Sequence, residues 1–151
     1  MALRSIADVN VLLPLIIPAH PSHRAARDWL AEQPEASVGW CVLTQLGVLR
    51  LLSNARVATT GALTPDAALA VWDQLISLAP FCELDQTPRS LGDSLRQLAA
   101  GRQPSINLWT DAWLAALAQS LGCEMVTFDR GFRSFKGLKL RLLIEQPERN
   151  K

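Results

Sequence analysis

Short apolar runs alternate along this chain with longer stretches whose apolar residues recur at helical spacing. Residues 3–7 read as a first strand that ends at Asp8, and residues 9–17 as a helix in which Pro14 demands a kink or an early stop. Pro18 and Pro21 mark a turn. Ser22 is placed to cap a helix to about Glu32 that turns Ala25, Trp29 and Leu30 to one side. Residues 37–43, rich in Val, Trp and Cys, form a second strand, after which Thr44 caps a helix carrying Leu46, Leu49, Arg50 and Leu52. A loop over 54–61 follows. Thr64-Pro65-Asp66 then combines an N-cap, a proline at the first helical position and an early acid, starting a helix to about Leu78.

The second half repeats the alternation. Residues 81–84 are a third strand, 90–100 a helix ended by Gly101, and Pro104-Ser105 opens a helix that runs to Leu121 before Gly122. Residues 123–128 form the fourth strand, ending at Asp129, and 138–144 the last. Strands separated by helices of this length connect as parallel crossovers. The expected fold is α/β: a three-layer α/β/α sandwich around a mostly parallel sheet of about five strands. One domain over 1–145 with a polar tail at 146–151 accounts for the chain.

Composition narrows the class. With 49% hydrophobic and 19% charged residues the chain is globular rather than disordered, and its 15 Lys+Arg against 14 Asp+Glu argue against holding nucleic acid by bulk charge. The longest apolar run, 11–19, is too short to span a membrane, and Asp8 and Asn10 interrupt any secretory signal. No membrane partner and a cytoplasmic location are expected. The three cysteines, Cys41, Cys82 and Cys123, each fall in a strand-like apolar stretch and read as buried free thiols. His20 and His23 share a proline-bounded turn and read as surface residues rather than metal ligands.

Three carboxylates carry the candidate chemistry. Asp8 and Asp129 each follow a strand directly, the place where parallel sheets gather their ligands. Asp111 lies three residues before Leu114, and Leu114, Leu117, Ala118 and Leu121 form a buried stripe, so Asp111 faces inward too. Three such groups within about 5 Å would repel by roughly 3 kcal/mol per pair at an effective dielectric near 20. No lysine or histidine lies close in sequence to offset this, whereas a hard divalent cation fits an all-carboxylate site, which points to Mg²⁺ or Mn²⁺.

The chain resembles a PIN domain, and more narrowly the VapC-type toxins of VapBC toxin–antitoxin pairs. The resemblance runs nearly end to end. It rests on Asp8-Val-Asn-Val-Leu-Leu, on Thr44-Gln-Leu-Gly-Val-Leu-Arg50, on Thr110-Asp-Ala-Trp-Leu-Ala-Ala-Leu-Ala118 and on Thr127-Phe-Asp-Arg-Gly-Phe132, in that order. It implies a metal-dependent endoribonuclease with Asp8, Asp111 and Asp129 as its acids, Asn10 and Thr127 orienting them, and Arg50 supporting the site or its helix. The departure is Gln45, where many PIN domains place a glutamate one residue after the threonine. A neutral oxygen there leaves three carboxylates instead of four.

In the mechanism that follows, a metal-held water attacks an RNA phosphodiester. Seven basic residues lie beyond Asp129, and of these Arg130 and Arg133 are near enough to reach the RNA backbone. The resemblance further implies a homodimer, and a small antitoxin whose C-terminal segment covers the active-site groove. Trp109 and Trp113 read as core or interface residues, and Trp72 as a residue facing a partner. The competing reading is a catalytically silent PIN-like module that binds RNA or protein, with Gln45 as the mark of lost activity. An aspartyl phosphatase is disfavoured, because position 10 is Asn and the only lysines are Lys136, Lys139 and Lys151.

Overall fold

The computed structural model describes residues 2–58 and 61–145; the tail expected at 146–151 lies outside them. Five short strands, β1 (Ser5–Ala7), β2 (Val38–Trp40), β3 (Phe81–Glu83), β4 (Glu124–Thr127) and β5 (Leu140–Leu142), form one sheet in the order β3-β2-β1-β4-β5. Every pairing is parallel. The strands carry α1 (Val9–Ile16), α2 (His23–Ala31), α3 (Val42–Leu52), α4 (Pro65–Ile76), α5 (Leu91–Ala99) and α6 (Leu108–Leu121), with a 3₁₀ turn (Arg130–Ser134) after β4.

The pleat sorts the core into two clusters. Ala7 and Val126 face the apolar sides of α1 to α4, while Ile6 and Met125, their neighbours in sequence, face α5 and α6. The result is the expected three-layer sandwich. Because β1 and β4 lie side by side with Ala7 opposite Val126, the next residues along each strand, Asp8 and Thr127, emerge together at the carboxyl edge.

Several boundaries differ from the sequence reading. The second strand stops at Trp40, and Cys41, not Thr44, is the N-cap of α3. Thr44 sits three residues inside, where its hydroxyl accepts from the Cys41 N–H at 3.0 Å and lies 2.8 Å from the Cys41 carbonyl. It completes a capping box from the opposite end. α6 begins at Leu108, about one turn later than Pro104-Ser105 predicts, after a turn in which the Leu108 N–H bonds the Ser105 carbonyl. Ser22 occupies the predicted cap of α2, but its hydroxyl donates to Glu145 Oε1 at 2.7 Å instead of capping the helix.

The aromatic and thiol expectations divide. Trp72 faces no partner: it is fully buried, edge-on to Trp40 with ring centroids 5.3 Å apart. Trp113 packs against the α5–α6 core, whereas Trp109 is 63% exposed. Cys41 and Cys123 are buried free thiols at element ends, and burial raises the Cys123 thiol to about 11, so it stays protonated. Cys82 is free but only half-buried. No helix among the described residues is long and apolar enough to cross a membrane.

Candidate active site

Thr127 is the joint of the site. Its hydroxyl donates to Asp8 Oδ2 at 2.8 Å and accepts from Asn10 Nδ2 at 3.0 Å and from the Asp129 N–H at 3.0 Å. Asn10 Oδ1 in turn accepts from the Phe128 N–H at 3.2 Å. One hydroxyl and one amide thus fasten the end of β1 to the end of β4. A residue with Oγ on a strand end, rather than an apolar one, is what makes this possible.

Asp8 is the N-cap of α1, with Oδ1 2.7 Å from the Val9 N–H. It is 93% buried. Burial pushes its carboxyl above the ordinary aspartate range, the hydrogen bonds from Thr127 and Val9 pull it back, and the charge of Asp129 adds to the rise. Asp129 is exposed and caps the 3₁₀ turn, with Oδ1 accepting from the Gly131 N–H at 2.7 Å. A Cβ at Gly131 would stand 3.0 Å from that oxygen, so the close approach favours glycine.

Asp111, in the first turn of α6, completes the set. Its carboxyl is pushed up to about 6, first by burial and then by the charges of Asp8 and Asp129. Among the described residues its side chain takes part in no hydrogen bond, and the ion pairs found, Arg24–Asp28 and Arg27–Asp28, involve none of the three acids. All three line one cleft of about 670 Å³.

A model of the PIN domain matches residues 6–138, a span that holds all three acids. The chain belongs to the PIN-domain family. Ribonuclease VapC41 of Mycobacterium tuberculosis is 33% identical over 147 residues, covering 93% of this chain and 99% of that protein. Among solved structures, VapBC2 of Rickettsia felis bound to a promoter DNA fragment matches with a TM-score of 0.67 at 14% identity, covering 94% of this chain and 100% of that one. The sarcin-ricin-loop-cleaving toxin VapC20 of Mycobacterium tuberculosis matches with a TM-score of 0.65 at 17% identity, covering 91% and 98%. These two share the PIN fold.

The other predicted PIN-site residues do not all meet. Asn10 and Arg50 line the cleft with the acids; Thr127 lies directly behind Asp8. Gln45 does not line it. The wall that α3 presents consists of Leu43, Leu46, Gly47, Arg50 and Leu51, a helical stripe on which position 45 does not fall. Gly47 lets that wall close in, since a Cβ there would meet Val9 Cγ2 at 2.6 Å. Arg130 and Arg133 line a neighbouring depression of about 390 Å³, joined to the acid cleft at Phe128 and Glu145.

Two cleft residues escaped sequence reasoning. His20 lines the cleft instead of a plain surface turn; its Nδ1 accepts from the Ser22 N–H at 3.0 Å, which places the ring proton on Nε2. Glu145, taken as the edge of a polar tail, is held at the rim by Ser22. The proline-flanked His20 was the one available signal.

The carboxylates have not already converged into a cage: among the described residues no three Asp, Glu, His or Cys side chains stand ready to hold an ion. The donor chemistry nevertheless fits a hard cation. Oxygen-only ligands, neighbouring charges that raise the proton affinity of Asp8 and Asp111, and no paired base are the conditions a divalent ion relieves, with water completing its shell.

Proposed function

We propose that this chain is a VapC-type endoribonuclease, the toxin half of a VapBC pair, acting on RNA at Asp8, Asp111 and Asp129. The observation that carries this reading is that three carboxylates without a basic partner line one cleft, two of them at the carboxyl edge of a parallel sheet and one on α6. The extent of the likeness to VapC41 supports it.

Asp8, Asp111 and Asp129 would hold Mg²⁺ or Mn²⁺. When bound, the ion supplies an acidified water and neutralises charge developing on the phosphate. The chain's own groups set up the rest. The hydrogen bonds from Thr127 and Val9 favour the ionised form of Asp8 against its burial and hold the carboxylate pointed. Asn10 holds the β4 end, so Asp8 and Asp129 keep a constant separation. Asp111, whose carboxyl is pushed up to about 6 by burial and by the charges of Asp8 and Asp129, would bind the ion or orient the attacking water. Arg130 and Arg133, which line the depression beside Phe128, would bind the RNA backbone there.

The reading extends to an antitoxin, a homodimer and a cytoplasmic setting. Exposed apolar side chains at the cleft and on α3 and α4, Leu46 at 58%, Val42 at 62% and Leu69 at 44%, suit protein partners. The deciding experiment is cleavage of RNA by purified protein with Mn²⁺. Cleavage by the wild type that Asp8→Asn abolishes supports the reading; no cleavage, with Asp8→Asn indistinguishable from wild type, leaves the silent binding module.

A further inference from the structure

Arg102 has no place in the site described above. It lies between α5 and α6, and its guanidinium is held from three directions. Nε donates to the Leu98 carbonyl at 3.3 Å, Nη1 donates to the Ser134 hydroxyl at 2.7 Å, and the guanidinium carbon sits 4.2 Å from the centroid of the Phe135 ring. A long cationic side chain pinned this way has already lost the rotamer freedom that binding would otherwise cost.

It has no acidic partner among the described residues. Arg102 shares a depression of about 340 Å³ with Asp111 and Gly131. The contacts to Leu98, Ser134 and Phe135 hold its guanidinium without an acid and leave N–H groups over for a ligand.

Two depressions adjoin the acid cleft. The one lined by Arg130 and Arg133 meets the acid cleft at Phe128, and the acid cleft meets the Arg102 depression at Asp111. Cationic side chains, of which Arg102 alone is pinned, therefore flank the acid cleft on its Phe128 side and on its Asp111 side. A polyanionic strand laid along the cleft finds positive charge on each side and, at the centre, the groups that attract a divalent ion.

We propose that Arg102 binds an RNA backbone phosphate on the Asp111 side of the cleft, so that the strand is gripped on both sides of the bond to be cut. The inference rests on the ribonuclease reading above. Its planar donor fork suits a phosphate's oxygens.

The test is binding of a short fluorescein-labelled single-stranded RNA in EDTA, followed by anisotropy across a salt series, beside cleavage of the same RNA with Mn²⁺. Arg102→Ala is expected to weaken binding about tenfold, as loss of a charge-assisted hydrogen bond does. It should also flatten the plot of log affinity against log salt by about 0.7, one phosphate contact on a single strand. Arg102→Lys should keep the slope and part of the affinity, because it keeps the charge and loses the pins.

Should Arg102→Ala unfold early, Arg102→Gln, which retains a donor and a shorter stem, carries the same test. Wild-type affinity and slope in the variant, with the wild type binding and cutting RNA, overturn the contact and leave the ribonuclease reading standing. Weakened binding at unchanged slope also overturns it, because Arg102 would then act only by bracing the turn that follows Asp129. A wild type that neither binds nor cuts RNA overturns the ribonuclease reading itself.

Discussion

The two halves of the cleft hold their acids in opposite ways. At the strand ends, Asp8 and Asp129 are fastened by Thr127, by Asn10 and by the N–H groups of Val9 and Gly131. On α6, Asp111 has no such hold, and its surroundings only raise its proton affinity. The same residue type is thus fixed in position on one side and tuned in charge on the other. Strand ends can do the first because parallel neighbours in register deliver adjacent backbones; a helix start delivers one side chain and its environment.

If the fixed half matters as a unit, its loss should be the costliest. Asp8→Asn keeps an N-cap for α1 and so should shift Tm little. It should nevertheless lower RNA cleavage more than about 100-fold, since even groups that merely orient ligands are worth about 10–100-fold. An Asp8→Asn variant cutting within tenfold of wild type would remove Asp8 from the chemistry.

Thr127→Val attacks the joint without touching an acid. It leaves the buried Asp8 Oδ2 and the Asp129 N–H short of a partner. We expect about 10–100-fold less cleavage and about 1–3 kcal/mol less stability in denaturant unfolding. Thr127→Ser, which keeps the hydroxyl, should recover most of both; if it does not, β-branched packing on β4 rather than the hydrogen-bond joint is what position 127 supplies.

The tuned half should reveal itself through pH. Folding raises the Asp111 carboxyl from 3.8 to about 6, so between those values the folded state binds more protons than the unfolded one. Asp111 therefore subtracts stability as pH climbs through that window, and the loss is complete above about 6. Asp111→Asn should raise the metal-free Tm at pH 8 and leave it unchanged near pH 4. Solvent screening at this half-exposed group holds the gain to about 1 kcal/mol or less, about 2–4 °C. Added Mn²⁺ should raise the Tm of the wild type at pH 8 and have little effect on the variant. A variant that is no more stable at pH 8 than at pH 4, relative to wild type, would show that Asp111 is not under electrostatic pressure.

How far the sequence disclosed this arrangement depended on what sets each residue's direction. Asp8 and Asp129 were readable because a strand followed by a turn places the next side chain at the sheet edge whatever packs around it. Asp111 was readable from its spacing to Leu114, Leu117 and Ala118, all of them buried, although Ala112, Ala115 and Ala116 are buried as well and Leu121 is exposed. Trp72 was misread, since only the Trp40 ring against it shows that it is core rather than interface. Arg102 and Glu145 lie in loops whose shape comes from distant contacts with Ser134 and Ser22, and His20 sits in a turn closed by the Ser22 N–H two residues on; none of these leaves a periodicity.

Gln45 shows the same limit on a helix. α3 is apolar nearly all round, with Thr44, Val48 and Leu52 buried on one side and Leu43, Leu46 and Gly47 at the cleft on another. No polar face reveals its phase, and the neighbouring threonine drew the missing acid to position 45. The smallest effect should therefore come from the substitution that looked most restorative. Gln45→Glu adds a carboxylate that does not line the cleft, so cleavage and Mn²⁺ dependence should stay within about twofold of wild type, as for substitutions away from a site. Gly47→Ala, by contrast, puts a Cβ against Val9 and should cost about 1–3 kcal/mol. A large gain in cleavage from Gln45→Glu would mean that α3 turns position 45 into the cleft. The acids at the strand ends and on α6 would then be three members of a set of four, not a complete site.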